Sequence, residues 1–160
     1  MKHVAVAGAA LAALALGTAL GSERFLHLIP CALCYQERWP YRFAIALGLL
    51  GFVLPRRLAA AACALMLVAY MAAAGTAFLH VGVEQHWWKS PYPECMAPDL
   101  RGLSPAERLA HMPLTPSKSC EDKDYLIPTI PITMPQANFV YALVVGAGLA
   151  TWMARSRKTL

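Results

Sequence analysis

Residues 58–79 read LAAAACALMLVAYMAAAGTAFL and contain no charged side chain. A helix rises about 1.5 Å per residue, so about 20 residues cross the roughly 30 Å hydrocarbon core of a bilayer. This run is therefore long enough to span a membrane as a single helix. Hydrophobic residues make up 58% of the 160-residue chain and charged residues 14%, which is too apolar for a soluble domain. The chain is predicted to be an integral membrane protein.

Three further uncharged runs flank this segment, at residues 4–20, 43–54 and 138–154. The run at 43–54 is short, and it spans a bilayer only if its helix begins near Pro30, since proline is well tolerated at a first helical position. Pro40 then lies inside that helix and is expected to kink it. We therefore predict an all-α membrane protein, a single domain over residues 1–160 whose four-helix bundle has spans at about 4–22, 32–54, 58–79 and 136–154.

The basic residues predict the orientation of these spans. One set of helix ends carries six basic residues and no acidic one, namely Lys2, Arg56, Arg57, Arg155, Arg157 and Lys158. The positive-inside rule therefore places both termini in the cytoplasm, with loops at about 22–31 and 80–135 on the outer side. The formal net charge of +5 arises from these ends. It indicates membrane topology, and nothing in the sequence suggests nucleic-acid binding.

The N-terminal run has an alternative interpretation as a cleaved signal peptide. Lys2 precedes the apolar run, and Ala19, Leu20 and Gly21 resemble a small-residue cleavage site. The run is longer than a usual signal-peptide core, and the topology rule needs the first helix. We therefore expect an uncleaved first span.

Cys31 and Cys34 form a Cys-x-x-Cys pair at the start of the second predicted span. Such a pair can be redox-active, can be half of a zinc site, or can arise by chance. A helix N-terminus stabilises a thiolate, and so does a nearby arginine. Arg38 lies four residues after Cys34, one turn deeper on the same face. It could stabilise the Cys34 thiolate and attract the oxygen of a reduced quinone, or it could extend to the membrane interface.

Cys95 and Cys120 lie in the long outer loop, where the compartment permits disulfides. As a structural crosslink they would close about 25 residues, which stabilises the fold by roughly 3.5 kcal/mol in the chain-entropy model. As a redox pair they would be accessible to attack by an outside thiolate. A zinc site of all four outer cysteines is disfavoured because the second pair is widely spaced. Cys63 lies within a span and is interpreted as a small apolar residue.

Two weaker signals flank the long loop. His80 ends the third span and Glu84 follows at i+4, a pair that could be structural or could line a pocket at the depth of Arg38. Ser104 and Glu107 form a capping box that predicts a short helix, either on the membrane surface or as a polar turn of the loop. In such a helix Leu109 would share a face with residue 112.

The stretch 30–38, PCALCYQER, closely resembles the DsbB family of bacterial disulfide-bond-forming membrane proteins. Residues 80–88, HVGVEQHWW, are similar to a branch of that family. The resemblance covers nearly the whole chain in topology, and in motif it rests on Cys31, Cys34, Arg38, His80, Cys95 and Cys120. In the vitamin K epoxide reductase-like proteins, which are related in mechanism, the loop cysteines precede the Cys-x-x-Cys, whereas here they follow it.

The resemblance implies that the protein reoxidises a periplasmic, thioredoxin-fold DsbA-like oxidase and passes the electrons to a membrane quinone, either ubiquinone or menaquinone. The partner would attack a Cys95–Cys120 disulfide and remain on Cys95. Cys120 would then attack Cys31 and free Cys34 to face the quinone. Arg38 would stabilise the charge, and His80 would lie near the quinone.

The same resemblance implies a place in the bacterial inner membrane, with both termini cytoplasmic and the redox loops periplasmic. The hypothesis from another class is a non-catalytic membrane protein whose outer loop is crosslinked by Cys95–Cys120. Purification distinguishes the two, because only the enzyme should carry quinone and oxidise a dithiol protein.

Overall fold

The computed structural model describes residues 1–95, 102, 104–110, 118–125 and 129–158. Its helices are α1 (Lys2–Leu26), α2 (Ala32–Val53), α3 (Arg56–Glu84), α4 (Pro105–Ala110) and α5 (Met134–Lys158), with one 3-10 turn at Pro93–Cys95. Within the described residues there is no β-strand, and one isolated bridge joins Tyr125 to Thr133. The predicted all-helical class is confirmed.

Among the residues that the structure describes, three helices are long and apolar enough to cross a membrane, namely α1, α3 and α5. Helix α2 begins at the expected residue, but Glu37, Arg38 and Arg42 occupy its first half and shorten its apolar part. Its role as a fourth span therefore stays a prediction. Helix α3 continues one turn beyond the predicted span, as far as Glu84, because its last polar side chains find partners inside the protein.

Prolines and a cysteine set the limits of α2. Cys31 is its N-cap, with extended backbone, and its Sγ accepts a hydrogen bond from the Cys34 amide at 3.3 Å. At the other end Leu54 is extended because it precedes Pro55, a residue that disfavours helical backbone before it. Helix α3 begins directly after that proline. The turn between the two helices is therefore short, and the helices pack as antiparallel neighbours.

Small residues bring the first half of α1 and the second half of α2 together. A Cβ added at Gly48 would lie 2.7 Å from the carbonyl oxygen of Ala5 and 2.6 Å from the Cβ of Ala9. Only glycine therefore permits this approach, as is usual where membrane helices pack closely. We call the buried group around it the small-residue core, whose members include Val4, Ala5, Ala12, Ala44, Cys63, Met66, Tyr70 and Ala142.

Helix α4 starts with the predicted capping box. The Ser104 amide donates to Glu107 Oε2 at 2.8 Å, and the Glu107 amide donates to Ser104 Oγ at 3.4 Å. These bonds satisfy amides that a helix leaves unpaired at its start. The short helix is confirmed. The expected apolar face of Leu109 and residue 112 lies outside the described side chains.

Candidate functional site

The Cys31 and Cys34 thiols lie together where α2 begins, with their Sγ atoms 2.9 Å apart. Cys31 is 4% exposed, whereas Cys34 is partly exposed. Cys31 is therefore the more buried of the two thiols. The reason is the N-cap geometry, which folds the Cys31 side chain back over the first turn of α2 and against neighbouring elements.

Cys95 and Cys120 are joined by a disulfide. Cys95 and Cys120 pack with Cys31, Leu33 and Val83 in one buried group, here called the cysteine cluster. The exposed fractions of Cys95 and Cys120 are only 1% and 0%, so the expected accessibility of this disulfide is not found in this conformation. The 3-10 turn that carries Cys95 packs against α2, and this packing covers the disulfide. The structure thus brings all four outer cysteines together.

A cavity of about 350 Å³ opens beside the Cys-x-x-Cys pair. Its lining includes Cys31, Cys34, Arg38 and His80, four of the six residues singled out in the sequence. The rest of the wall comes mainly from α1 and α5 and is largely apolar. The volume is in the range of sites for small organic molecules, which combine apolar walls with a few placed polar groups.

Arg38 is 6% exposed and lines this cavity. Its guanidinium pairs with Glu23 of α1 and lies 4.8 Å from the centre of the Tyr35 ring. Among the described residues its buried Nε has no hydrogen-bond partner. The alternative, in which Arg38 only extends to the interface, does not fit a buried and paired side chain.

His80 joins the cysteine pair to a carboxylate. Its Nε2 lies 3.5 Å from Cys31 Sγ, and its Nδ1 lies 2.6 Å from Glu37 Oε1. The expected pairing partner Glu84 instead accepts a hydrogen bond from the Thr133 hydroxyl at 2.7 Å. His80 therefore lines the same cavity as Arg38. This is one of the two alternatives that the sequence left open for His80.

Glu37, Asn138 and Tyr41 belong to the site and were missed by the sequence reasoning. All three line the cavity, and Glu37 is 8% exposed. A carboxylate inside a predicted span is expensive and usually functional, so Glu37 carried a usable signal. Asn138 carried a weaker one, because it begins an apolar run in which its amide needs a partner from another helix.

The model of the family described as disulfide bond formation protein DsbB matches residues 1–153. The chain belongs to the DsbB family. Membership in the DsbB family implies thiol oxidation in disulfide-bond formation at a membrane, and the resemblance first seen at residues 30–38 is confirmed. Among curated proteins and among solved structures, no match to the chain is found.

The donor set of this DsbB family member fits a quinone better than a resident metal. The cavity offers apolar walls for a ring and the buried, charged guanidinium of Arg38 for a ring oxygen. The ligand atoms of Cys31, Cys34 and His80 do lie within 4.8 Å of one another, a set that could hold a metal ion only while both thiols are reduced. With Cys95 and Cys120 in a disulfide, the four outer cysteines do not form a tetrathiolate set.

Proposed function

We propose that this protein is a thiol:quinone oxidoreductase of the bacterial inner membrane. It would reoxidise a periplasmic DsbA-like, thioredoxin-fold dithiol oxidase and pass the electrons to ubiquinone or menaquinone. The observation that carries the proposal is the cavity of about 350 Å³, in which the Cys-x-x-Cys pair meets a buried arginine and a histidine. Family membership supports the same chemistry.

The proposed electron path begins at the loop disulfide. A partner thiolate attacks Cys95 Sγ, the Cys95–Cys120 bond breaks, and Cys120 leaves as a thiolate. Cys120 then attacks Cys31 of the oxidised Cys31–Cys34 pair, and Cys34 leaves as a thiolate facing the cavity. The second partner thiol then releases the partner as a disulfide, and the freed Cys95 thiolate attacks Cys120, which restores the Cys95–Cys120 bond and frees Cys31. The shared burial of Cys31, Cys95 and Cys120 in the cysteine cluster supports the second exchange.

The first attack requires a change in the cysteine cluster. Cys95 and Cys120 are buried against α2 and α3, so an outside thiolate cannot reach them in the present packing. Binding of the partner must therefore displace the 3-10 turn Pro93–Cys95 from α2. The burial also protects the disulfide from small thiols while no partner is bound.

The residues around the cavity have separate roles in the quinone step. A bound quinone would accept two electrons and two protons from the thiols. Arg38 would attract an oxygen of the ring through its guanidinium charge and would stabilise the Cys34 thiolate. His80 would hold or move a proton at Nε2, which faces Cys31 Sγ. The apolar wall from α1 and α5 would exclude water.

We infer four spans with both termini in the cytoplasm. Lys2 and Arg56 lie together at one end of the bundle, where they line a shared surface recess. In an antiparallel bundle the end of α5, with Arg155, points the same way. The cysteine cluster and the charged first half of α2 would then lie at the periplasmic side.

The direct test uses purified protein in lipid nanodiscs, a reduced thioredoxin-fold oxidase and a water-soluble quinone analogue. Loss of quinone absorbance should require both proteins and should yield one partner disulfide per quinone reduced. The variant Cys34→Ser should give no quinone reduction while the protein remains folded. Purified protein that neither binds quinone nor oxidises any dithiol protein would favour the non-catalytic alternative with a structural loop disulfide.

A further inference from the structure

A chain of hydrogen bonds runs along the cavity and links α2, α3 and α5. The Tyr41 hydroxyl donates to Asn138 Oδ1 at 2.6 Å, and Asn138 Nδ2 donates to Glu37 Oε2 at 2.5 Å. The other oxygen of Glu37 lies 2.6 Å from His80 Nδ1, and His80 Nε2 lies 3.5 Å from Cys31 Sγ. The chain therefore ends at one of the two thiols.

While His80 is neutral and Cys31 is a thiol, one assignment of hydrogens satisfies every member of this chain. With the Tyr41 hydroxyl on Asn138 Oδ1, the amide nitrogen of Asn138 must face Glu37. An ionised Glu37 then accepts at both oxygens, from Asn138 and from His80. His80 must therefore carry its hydrogen on Nδ1, and a neutral ring presents the lone pair of Nε2 to the thiol of Cys31.

We propose that Asn138 is a positioning residue, which holds Glu37 so that His80 Nε2 accepts the thiol proton of Cys31. The inference rests on the proposed function and adds a residue from α5 to its machinery. Asn138 does not reach a sulfur atom, and it acts through Glu37 and His80. Tyr41 fixes the orientation of the Asn138 amide and so supports the same arrangement.

When the Cys34 thiolate and the Cys31 thiol are oxidised to their disulfide, the Cys31 S–H bond breaks and one S–S bond forms. The quinone would take up two electrons and two protons, one proton from Cys31 and one that the partner dithiol released when it was oxidised. His80 Nε2 takes the proton of Cys31, the imidazolium is stabilised by Glu37, and the proton leaves His80 toward the cavity. His80 lines that cavity, so the transfer does not need bulk water.

Asn138 matters because the Glu37 carboxylate is buried and needs both of its donors. A buried charge that loses one partner is strongly destabilised, and it responds by binding a proton or by moving. In either case His80 Nδ1 loses its acceptor and the ring can adopt the other tautomer. The other titratable or charged groups that line the cavity are Glu23, Cys34, Arg38, Glu84, Asp122 and Asp124, together with the phenols of Tyr41 and Tyr141.

The first test reads the tautomer of His80 directly in reduced, quinone-depleted protein. The nitrogen-15 shifts of the ring, assigned by loss of the signal in His80→Gln, should show hydrogen on Nδ1 and none on Nε2 near neutral pH. Asn138→Leu should convert this into a mixture of tautomers, and Tyr41→Phe should shift the ring in the same direction but less. Tyr70→Phe is the matched control, since its buried hydroxyl bonds to Gly8 away from the cavity.

The second test measures single-turnover quinone reduction in the same variants. Asn138→Leu should slow the step roughly tenfold, the effect of losing one charge-assisted hydrogen bond, and should raise its solvent isotope effect. Asn138→Gln, which keeps an amide, should recover part of the rate. Tyr70→Phe should match the parent protein in both rate and isotope effect.

The inference is overturned if the parent protein carries its hydrogen on Nε2, or if Asn138→Leu leaves both the ring shifts and the isotope effect unchanged. Should Asn138→Leu fail to fold, Tyr41→Phe decides by the same ring shifts. An absence of quinone reduction in the parent protein would overturn the proposed function alone. The tautomer measurement needs no quinone and still tests the role of Asn138.

Discussion

At the end of the bundle where α2 stops and α3 starts, the helices meet through alanine and glycine. At the opposite end they meet through buried charged side chains and a cavity. Gly48 lies against the backbone of Ala5 at the first end, whereas Glu37 lies among donors from two other helices at the second. Close packing therefore serves stability at one end of the bundle. At the other end, polar networks around an open cavity serve chemistry.

The largest expected effect is an all-or-none difference between the two loop cysteines. In Cys120→Ser, the free Cys95 thiolate attacks the disulfide of an oxidised partner, and no Cys120 remains to pass the exchange on to Cys31. A mixed disulfide with the partner should therefore accumulate on non-reducing gels. Cys95→Ser should give none, because the sulfur that the partner attacks is absent.

Both variants should still accumulate in the membrane, because the small-residue core does not depend on the loop crosslink. If either substitution removes the protein from the membrane, the Cys95–Cys120 disulfide is structural. The two ends of the bundle would then not differ in the way described above.

The next largest effect is expected at the end of the bundle that holds the buried charged side chains and the cavity. Arg38→Ala should slow quinone reduction roughly tenfold to a hundredfold, since a buried contact to a charged group contributes about 1.5–3 kcal/mol. Arg38→Lys should be intermediate because it keeps the charge but loses the planar fork. Exchange with the partner, measured separately by stopped flow, should change little in both.

Arg42→Ala is the matched control for Arg38. Arg42 lies one turn further along α2, is exposed, and stacks on Trp39 at 5.0 Å outside the cavity. It should leave the quinone step unchanged. Equal rates in Arg38→Ala and the parent protein would reduce Arg38 to a structural ion-pair partner of Glu23.

A smaller effect is expected at the small-residue core. Gly48→Ala places a methyl group against the backbone of α1 and should lower the free energy of unfolding by about 1–3 kcal/mol. Gly75→Ala, where the added Cβ would meet no atom within 4 Å beyond its own stretch of helix, should instead leave stability unchanged or raise it by up to about 1 kcal/mol. Unfolding in mixed micelles measures both. A similar loss in the two variants would mean that α1 and α2 do not approach closely at Gly48.

The smallest effect lies outside both ends, in α4. The hydrogen bonds from Ser104 lower the pKa of Glu107 from its usual 4.5. A lowered pKa means that the cap contributes stability above pH 4.5 and loses it as pH falls through the lowered value. Amide exchange protection in α4, corrected for intrinsic rates, should therefore fall below pH 4.5 in the parent protein.

Glu107→Ala should show the reduced protection at every pH and should leave quinone reduction unchanged. Equal amide exchange protection of α4 at pH 3 and pH 7 would contradict the expected link between the ionisation of Glu107 and the stability of α4. Because the group is exposed, the change should stay confined to this helix.

Much of the fold could be predicted from residues 58–79 and the other apolar runs, because bilayer thickness fixes the length of a spanning helix. The beginning of α2 at Ala32 and the capping box at Ser104 followed from local chemistry. The burial of the Cys95–Cys120 disulfide could not be predicted in this way. It depends on how the 3-10 turn packs on α2, which no local pattern encodes.

The candidate site was predictable where residues are close in sequence and less so where they are distant. Cys31, Cys34 and Arg38 follow one another on a single helix, so their spacing places them together. The partner of His80 was wrongly expected to be Glu84, four residues away, because a neighbouring helix supplies Glu37 instead. Asn138 reaches Glu37 from a helix about a hundred residues later, and only tertiary packing joins them.

The position of the cavity between α1 and α5 determines how a hydrophobic electron acceptor would reach it. Successive helices in the bundle pack closely, but α1 and α5 touch only sparsely, and both contribute to the cavity wall. A hydrophobic electron acceptor would therefore arrive sideways through this seam from the lipid, without passing through water. Its availability would depend on the number of acceptor molecules per lipid and on their diffusion in two dimensions. Diluting the membranes in buffer should leave turnover unchanged, whereas diluting the acceptor with added lipid should slow it.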